Sequence, residues 1–241
     1  METFFLIVYF IGIVSYGVSS AMTAIDRECD LFGVLFIAIC TTFGGGMVRD
    51  VFLGIHPPLF FRDESLVDLA VCAGAALLVF LFAAVMKETF VRYEKQISRF
   101  NNIADAIGIG AFAVYGTRVS IENGFTRPFI AVSMGLVTGI VGGIIRDLCL
   151  NDVPFVMRKR VYAVAVVAGA VVYYVLAVSL SLGEIVATIA GILTTFGLRI
   201  LATVFKWNIP VAIRFSKLEA ASPGAKPRKA PIVPNRKQRK K

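Results

Sequence analysis

A sixteen-residue motif occurs twice in this chain at a constant offset of 97 residues. Residues 42–57 read TFGGGMVRDVFLGIHP and residues 139–154 read GIVGGIIRDLCLNDVP. Six positions are identical: Gly45/Gly142, Gly46/Gly143, Arg49/Arg146, Asp50/Asp147, Leu53/Leu150 and Pro57/Pro154. Two unrelated apolar helices would match by chance at Leu, Val or Ile. A glycine pair, an Arg-Asp pair and a proline in register mark an internal duplication.

The surroundings of the motif decide what is duplicated. Hydrophobic residues make up 57% of the 241, against about 45–50% in an ordinary soluble domain, and the mean hydropathy is +0.78. The excess falls into blocks at roughly 4–24, 31–53, 66–86, 103–119, 128–150, 161–180 and 183–205. Crossing about 30 Å of hydrocarbon as a helix takes roughly 20 mostly apolar residues. The chain therefore reads as an all-α polytopic membrane protein of seven transmembrane helices. Each motif lies on the second helix of a three-helix unit. Three is odd, so the second unit enters from the opposite side, which makes the pair an inverted repeat with a pathway expected at its interface. The expected organisation is 1–100, the first repeat with a connector; 101–182, the second; 183–210, the seventh helix; and 211–241, a tail. The first block lacks the Lys or Arg of a signal-peptide n-region, so it reads as a mature span.

The charge of +9 lies wholly in the tail: from Arg214 to Lys241 there are ten Lys or Arg and one acid, Glu219, leaving 15 basic and 15 acidic residues elsewhere. Pro-, Lys- and Arg-rich sequence of this kind reads as disordered, with anionic lipid headgroups as its expected contact. No nucleic-acid partner is expected, because such partners need basic residues on a folded face. Basic residues concentrate in connectors 87–102 and 151–160 and in the tail. Arg62, Arg118 and Arg127 are the sparser set assigned to the other side. The positive-inside rule then puts the N-terminus outside and the C-terminus in the cytoplasm.

Candidate functional residues follow from what a bilayer tolerates. Gly44, Gly45 and Gly46 in one span, and Gly142 and Gly143 in another, should loosen and kink their helices, since each glycine costs about 1 kcal/mol relative to alanine. Freed carbonyls survive in lipid only against protein or water, so kinked helices facing an aqueous path are one reading, and close helix packing is the other. Arg49 with Asp50, and Arg146 with Asp147, are charges that must face a cavity or a partner. They are expected to anchor their helices to freed backbone or neighbouring spans, or to contact ions. Asp105 and Arg199 lie at matching depth and could pair. Thr41, Thr42 and Thr138 flank the glycines, where a hydroxyl commonly bonds its own helix carbonyl. Cys29, Cys40, Cys72 and Cys149 have no CxxC spacing, and His56 is the single histidine. The pattern holds no metal site, cofactor motif, phosphate loop or nucleophile elbow, so no enzyme is expected.

These stretches together resemble the prokaryotic branch of the trimeric intracellular cation channel (TRIC) family, some members of which are described as glycine transporters. The resemblance is carried by DLFG at 30–33, FGGGMVRD at 43–50, Pro57 and Pro58, ADAIG at 104–108, TGIVGGIIRD at 138–147, PFVMRKRVY at 154–162, Arg199, and WNIP at 207–210. It covers roughly residues 5–210. It implies a homotrimer in a bacterial or archaeal cell membrane, each protomer conducting potassium through its own pore along helices two and five. The implied alternative is a secondary transporter of a small solute such as glycine. Val141, Tyr9 and Asp26 depart from the family pattern, which carries a third glycine, an Asp and often a basic residue at those places.

Overall fold

Asp30 and Gly54 show how the apolar blocks become helices with definite ends. The Asp30 carboxylate accepts the Gly33 N–H at 2.7 Å, the N-cap bond that satisfies an orphan donor of the first turn. Gly54 takes a left-handed conformation (φ 67°) and its N–H returns to Asp50 O and Val51 O, closing the other end as glycine does best. The helix between them is α2.

The computed structural model describes residues 2–63, 65–158, 161–205 and 207. In chain order the helices are α1 (Glu2–Asp26), α2 (Leu31–Leu53), α3 (Ser65–Val85), α4 (Lys87–Arg92), α5 (Glu94–Glu122), α6 (Pro128–Cys149), α7 (Phe155–Arg158), α8 (Val161–Tyr174, continued by a π-helical turn Val175–Ser179) and α9 (Glu184–Val204). A 3-10 turn, Leu59–Phe61, follows α2. Six of these, α1, α2, α3, α6, α8 with its π turn and α9, are long and apolar enough to cross a membrane. The protein is an all-helical polytopic membrane protein.

Two expectations change. The connector 87–102 is not a loop: it is α4 and the first turns of α5. The fourth apolar block, 103–119, is only the inner part of the 29-residue α5, and α5 is not among the six apolar helices. Its burial explains this. Ala104, Ala106, Gly108, Gly110, Ala111, Ala113 and Gly116 are buried where α5 packs against α1, α6, α8 and α9. A helix wrapped by other helices needs small residues for close approach, not large apolar ones for lipid. Arg118 also lies in α5, not in a connector; it pairs with Glu122 at 2.7 Å and stacks over Phe5.

Around α5 the bundle closes by pairs. α2 packs on α6 and α1, α3 on α1 and α2, and α8 on α9. Large side chains such as Phe32, Phe52, Val85 and Phe129 stay exposed, as an apolar surrounding permits. The basic tail 211–241, Asn208–Pro210 of the WNIP stretch, Lys159 and Arg160 lie outside the described residues.

Candidate functional site

The duplicated glycines sit where α2 crosses α6, and their contacts are reciprocal. A Cβ built on Gly45 would collide with the Thr138 carbonyl, and one on Gly142 with the Thr41 carbonyl. Gly45 and Gly142 are 97 residues apart, and so are Thr41 and Thr138. A Cβ on Gly44 would lie 2.7 Å from Ile145 Cδ1. The expected unwinding is absent, because both helices run through their glycines without interruption. Here glycine lets two backbones touch. Gly46 and Gly143 differ: a Cβ there would meet only Arg49 Nη2 at 3.7 Å, or Tyr162 OH at 3.5 Å and Arg146 Nη2 at 3.9 Å. The Thr41 and Thr138 hydroxyls donate to the carbonyls one turn back, Ile37 at 2.6 Å and Met134 at 2.7 Å. The Thr42 hydroxyl accepts from Cys72 Sγ at 3.3 Å.

One turn beyond each crossing lies an Arg-Asp device. Arg49 and Asp50 are 2% and 1% exposed. Arg49 Nε donates to Asp50 Oδ1 at 2.8 Å, and Asp50 Oδ2 accepts the Leu59 N–H at 2.8 Å. Arg146 Nε donates to Asp147 Oδ1 at 2.9 Å, and Asp147 Oδ2 accepts the Phe155 N–H at 2.6 Å. Each aspartate thus neutralises a buried guanidinium and pins the chain that returns after a proline turn. Charge-assisted bonds of this kind are about twice as strong as neutral ones.

The second device is larger. Asp105 on α5 takes Arg199 Nη2 at 2.6 Å and Arg146 Nη1 at 3.4 Å, which joins three helices. The Arg199 guanidinium lies 4.0 Å from the Tyr162 ring centroid. Beside the first device, Tyr9 donates to Asp68 at 2.8 Å, and Arg49 lies 5.4 Å from the Tyr115 centroid.

Besides a cavity of about 100 Å³ against Tyr162 and Arg199, two cavities flank these groups. One, of about 250 Å³, is lined by Ser19, Asn101, Asp105, Arg146 and Asp147 among others. The other, of about 30 Å³, is lined by Tyr9, Thr42, Gly46, Arg49, Tyr115 and Thr138 among others. Three helices run from one to the other through the same waist. On α1 the order is Tyr9, Tyr16, Ser19; on α5 it is Tyr115 and Phe112, Gly108, Asp105; on α6 it is Thr138, Gly139, Arg146. At the waist Tyr16 is buried, its hydroxyl donates to the Gly139 carbonyl, and its ring meets Phe112 edge-on at 5.0 Å. Gly108 leaves the space that the Tyr16 ring fills. At the open end of the larger cavity, Arg27 and Asp152 form an ion pair at 2.5 Å.

Tyr16, Ser19, Asn101, Tyr115 and Tyr162 join the site through the fold and are not among the residues the sequence pattern marks. A signal existed for the first two: Tyr16, Ser19 and Thr23 recur at helical spacing within an otherwise apolar block. The others depend on which helices become neighbours. Among the described residues no cluster of His, Cys, Asp or Glu could hold a metal ion, and Cys29, Cys40, Cys72 and Cys149 are all free.

Fold and site thus define a membrane-spanning helical bundle with two internal cavities, each lined by a buried, neutralised Arg-Asp pair. A family model described as "Glycine transporter" matches residues 6–84 and 102–178. A "UPF0126 membrane protein" of Deinococcus radiodurans is 40% identical over 169 residues, 69% of this chain and 74% of the relative. The "UPF0126 inner membrane protein YadS" of Escherichia coli K12 is 29% identical over 85% of this chain and 94% of its own length. A solved structure of a TRIC cation channel, described for its conductance, superposes with a TM-score of 0.73 at 34% identity, covering 86% of this chain and 97% of the channel. The TRIC trimeric intracellular cation channel orthologue of Rhodobacter sphaeroides gives 0.74 at 29% identity, covering 85% and 100%. The chain belongs to this glycine-transporter or TRIC family, and the solved structures it resembles are channels, not enzymes.

Proposed function

We propose that this chain is a monovalent cation channel, with potassium as the conducted ion, whose path runs within each protomer between the two cavities. The observation that carries the reading is the pair of cavities, each lined by an Arg-Asp pair, on either side of the Tyr16 waist. Water and ions need such chambers, since a charged group in lipid costs several kcal/mol. The arginines that line them are each paired with an aspartate, so they do not raise a net positive barrier. The solved relatives at 27–34% identity are cation channels.

Seven spans follow once α5 is counted as the fourth, crossing inside the bundle. The offset of 97 that relates both the glycine contacts and the Arg-Asp devices supports two inverted three-helix units, 1–100 and 101–182, with 183–210 as the seventh helix. The pathway is lined by α2 and α6, the second and fifth spans, without unwinding of either. The protein assembles as a homotrimer, as the trimeric name of its relative has it. It sits in the inner membrane with the N-terminus outside and the C-terminus in the cytoplasm. The tail 211–241 lies on anionic headgroups there, and no cofactor is required.

A glycine transporter is the second reading, favoured by the family description and by a cavity that offers both carboxylates and a guanidinium. Purified protein in planar bilayers separates the two. The channel reading expects unitary potassium currents with a cation-selective reversal potential. Saturable glycine uptake into liposomes, without unitary steps, would replace it.

A further inference from the structure

Two residues lining the larger cavity carry buried oxygens that take no part in the Arg-Asp devices or the Tyr16 waist. Ser19 is 1% exposed, and its Oγ has no hydrogen-bond partner among the described residues. Asn101 Oδ1 is also buried without one. Both residues line the cavity beside Asp105.

The orientation of the Asn101 amide is set by a short chain of bonds. Thr23, one turn from Ser19 on α1, donates its hydroxyl hydrogen to the Ser19 carbonyl at 2.8 Å. Its oxygen can then only accept, and it accepts from Asn101 Nδ2 at 3.2 Å. Flipping the Asn101 amide would set two acceptors against each other. The nitrogen therefore faces Thr23, and Oδ1 is left over. A buried acceptor without a donor costs about 1–3 kcal/mol, so it calls for a positive or donating ligand. Anions are repelled by the same lone pairs. A divalent ion would require uncompensated carboxylates, but Asp105 and Asp147 are each held by arginine. Neutral oxygens near balanced carboxylates suit a monovalent cation of low charge density.

We propose that Ser19 Oγ and Asn101 Oδ1, with the Asp105 carboxylate nearby, form a binding site for one partly dehydrated monovalent cation in the larger cavity. The site deepens the channel reading, and it gives the path a resting place on one side of the waist only. The small cavity beyond Tyr16 is lined by Phe43, Met47 and Phe60 as well as its polar groups and supplies no equivalent pair.

The test uses crystals of the full chain grown with thallium(I), which scatters anomalously and stands in for potassium. A peak is expected between Ser19 and Asn101, displaced by added potassium. In bilayers, Ser19→Ala and Asn101→Leu are expected to raise the potassium concentration at half-maximal conductance about tenfold, the effect of roughly one lost ligand. Unchanged melting curves keep this apart from misfolding. No peak at these oxygens, or unaltered saturation in both variants, overturns the site. Displacement by glycine where potassium leaves the peak in place reassigns the oxygens to an ammonium group and overturns the alkali-ion site. A potassium-sensitive peak in a protein that passes no current upholds the site and defeats the channel reading; a current without the peak does the reverse.

Discussion

Replacing Asp105 with Asn is expected to lower stability by about 3–5 kcal/mol, the cost of stripping one partner from a buried ion pair. Asp105 is the single acid joining Arg146 of α6 and Arg199 of α9 to α5. Arg146 retains Asp147, so the damage falls on Arg199. It is left against the Tyr162 and Phe155 rings with no carboxylate. Melting of the detergent-solubilised protein should fall by about 10 °C, taking the usual few degrees per kcal/mol for a chain of this size. Adding Arg199→Met should recover most of the loss, because a buried pair replaced whole by apolar groups is often close to neutral. A double-mutant cycle measures that coupling directly. Asp105→Asn melting within 2 °C of the parent would show that the three-helix junction is held by something else.

Gly142→Ala and Gly143→Ala are expected to behave oppositely, although they are neighbours. At 142 the new methyl group strikes the Thr41 carbonyl of α2, and a backbone cannot step aside by changing rotamer. Overpacking of this kind costs about 1–3 kcal/mol, and here the upper end applies. At 143 the nearest atoms are the Tyr162 hydroxyl and the Arg146 guanidinium, at ordinary contact distance. That change should be neutral, or stabilising by up to about 1 kcal/mol through helix propensity. Gly45→Ala and Gly46→Ala should repeat the contrast in α2. Melting of the four single variants checks this. Equal damage at 142 and 143 would restore the idea that the glycines act by loosening the helix, and would count against a packed crossing.

That contrast also shows how far the residues alone could be read. Six of the seven apolar blocks end within a few residues of the helices, since bilayer thickness and caps such as Asp30 and Gly54 are local constraints. The Arg-Asp devices announce themselves because charge in lipid is too costly to be incidental. Depth along the spans was enough to offer Asp105 and Arg199 to each other. The role of the glycines was harder, because composition cannot say which side of a helix a missing side chain faces. Gly142 faces a backbone and Gly143 the ends of two polar side chains, one residue apart. Hydropathy marks only part of α5, because it registers lipid contact, whereas α5 is wrapped by protein. The waist at Tyr16 depends on Gly108 and Gly139, residues 92 and 123 positions away, brought together only by the fold.

The central claim is that one path through the protomer connects the two cavities, and cysteine accessibility tests it most directly. Cys29, Cys40, Cys72 and Cys149 would first be replaced. Gly46→Cys then marks the small cavity and Ser98→Cys the mouth of the large one. With potassium current recorded across a planar bilayer, a charged methanethiosulfonate reagent should block both variants, each from one side only, and from opposite sides. Current that persists after mass spectrometry shows both cysteines fully modified, or block of both from the same side, would contradict a path that joins the chambers.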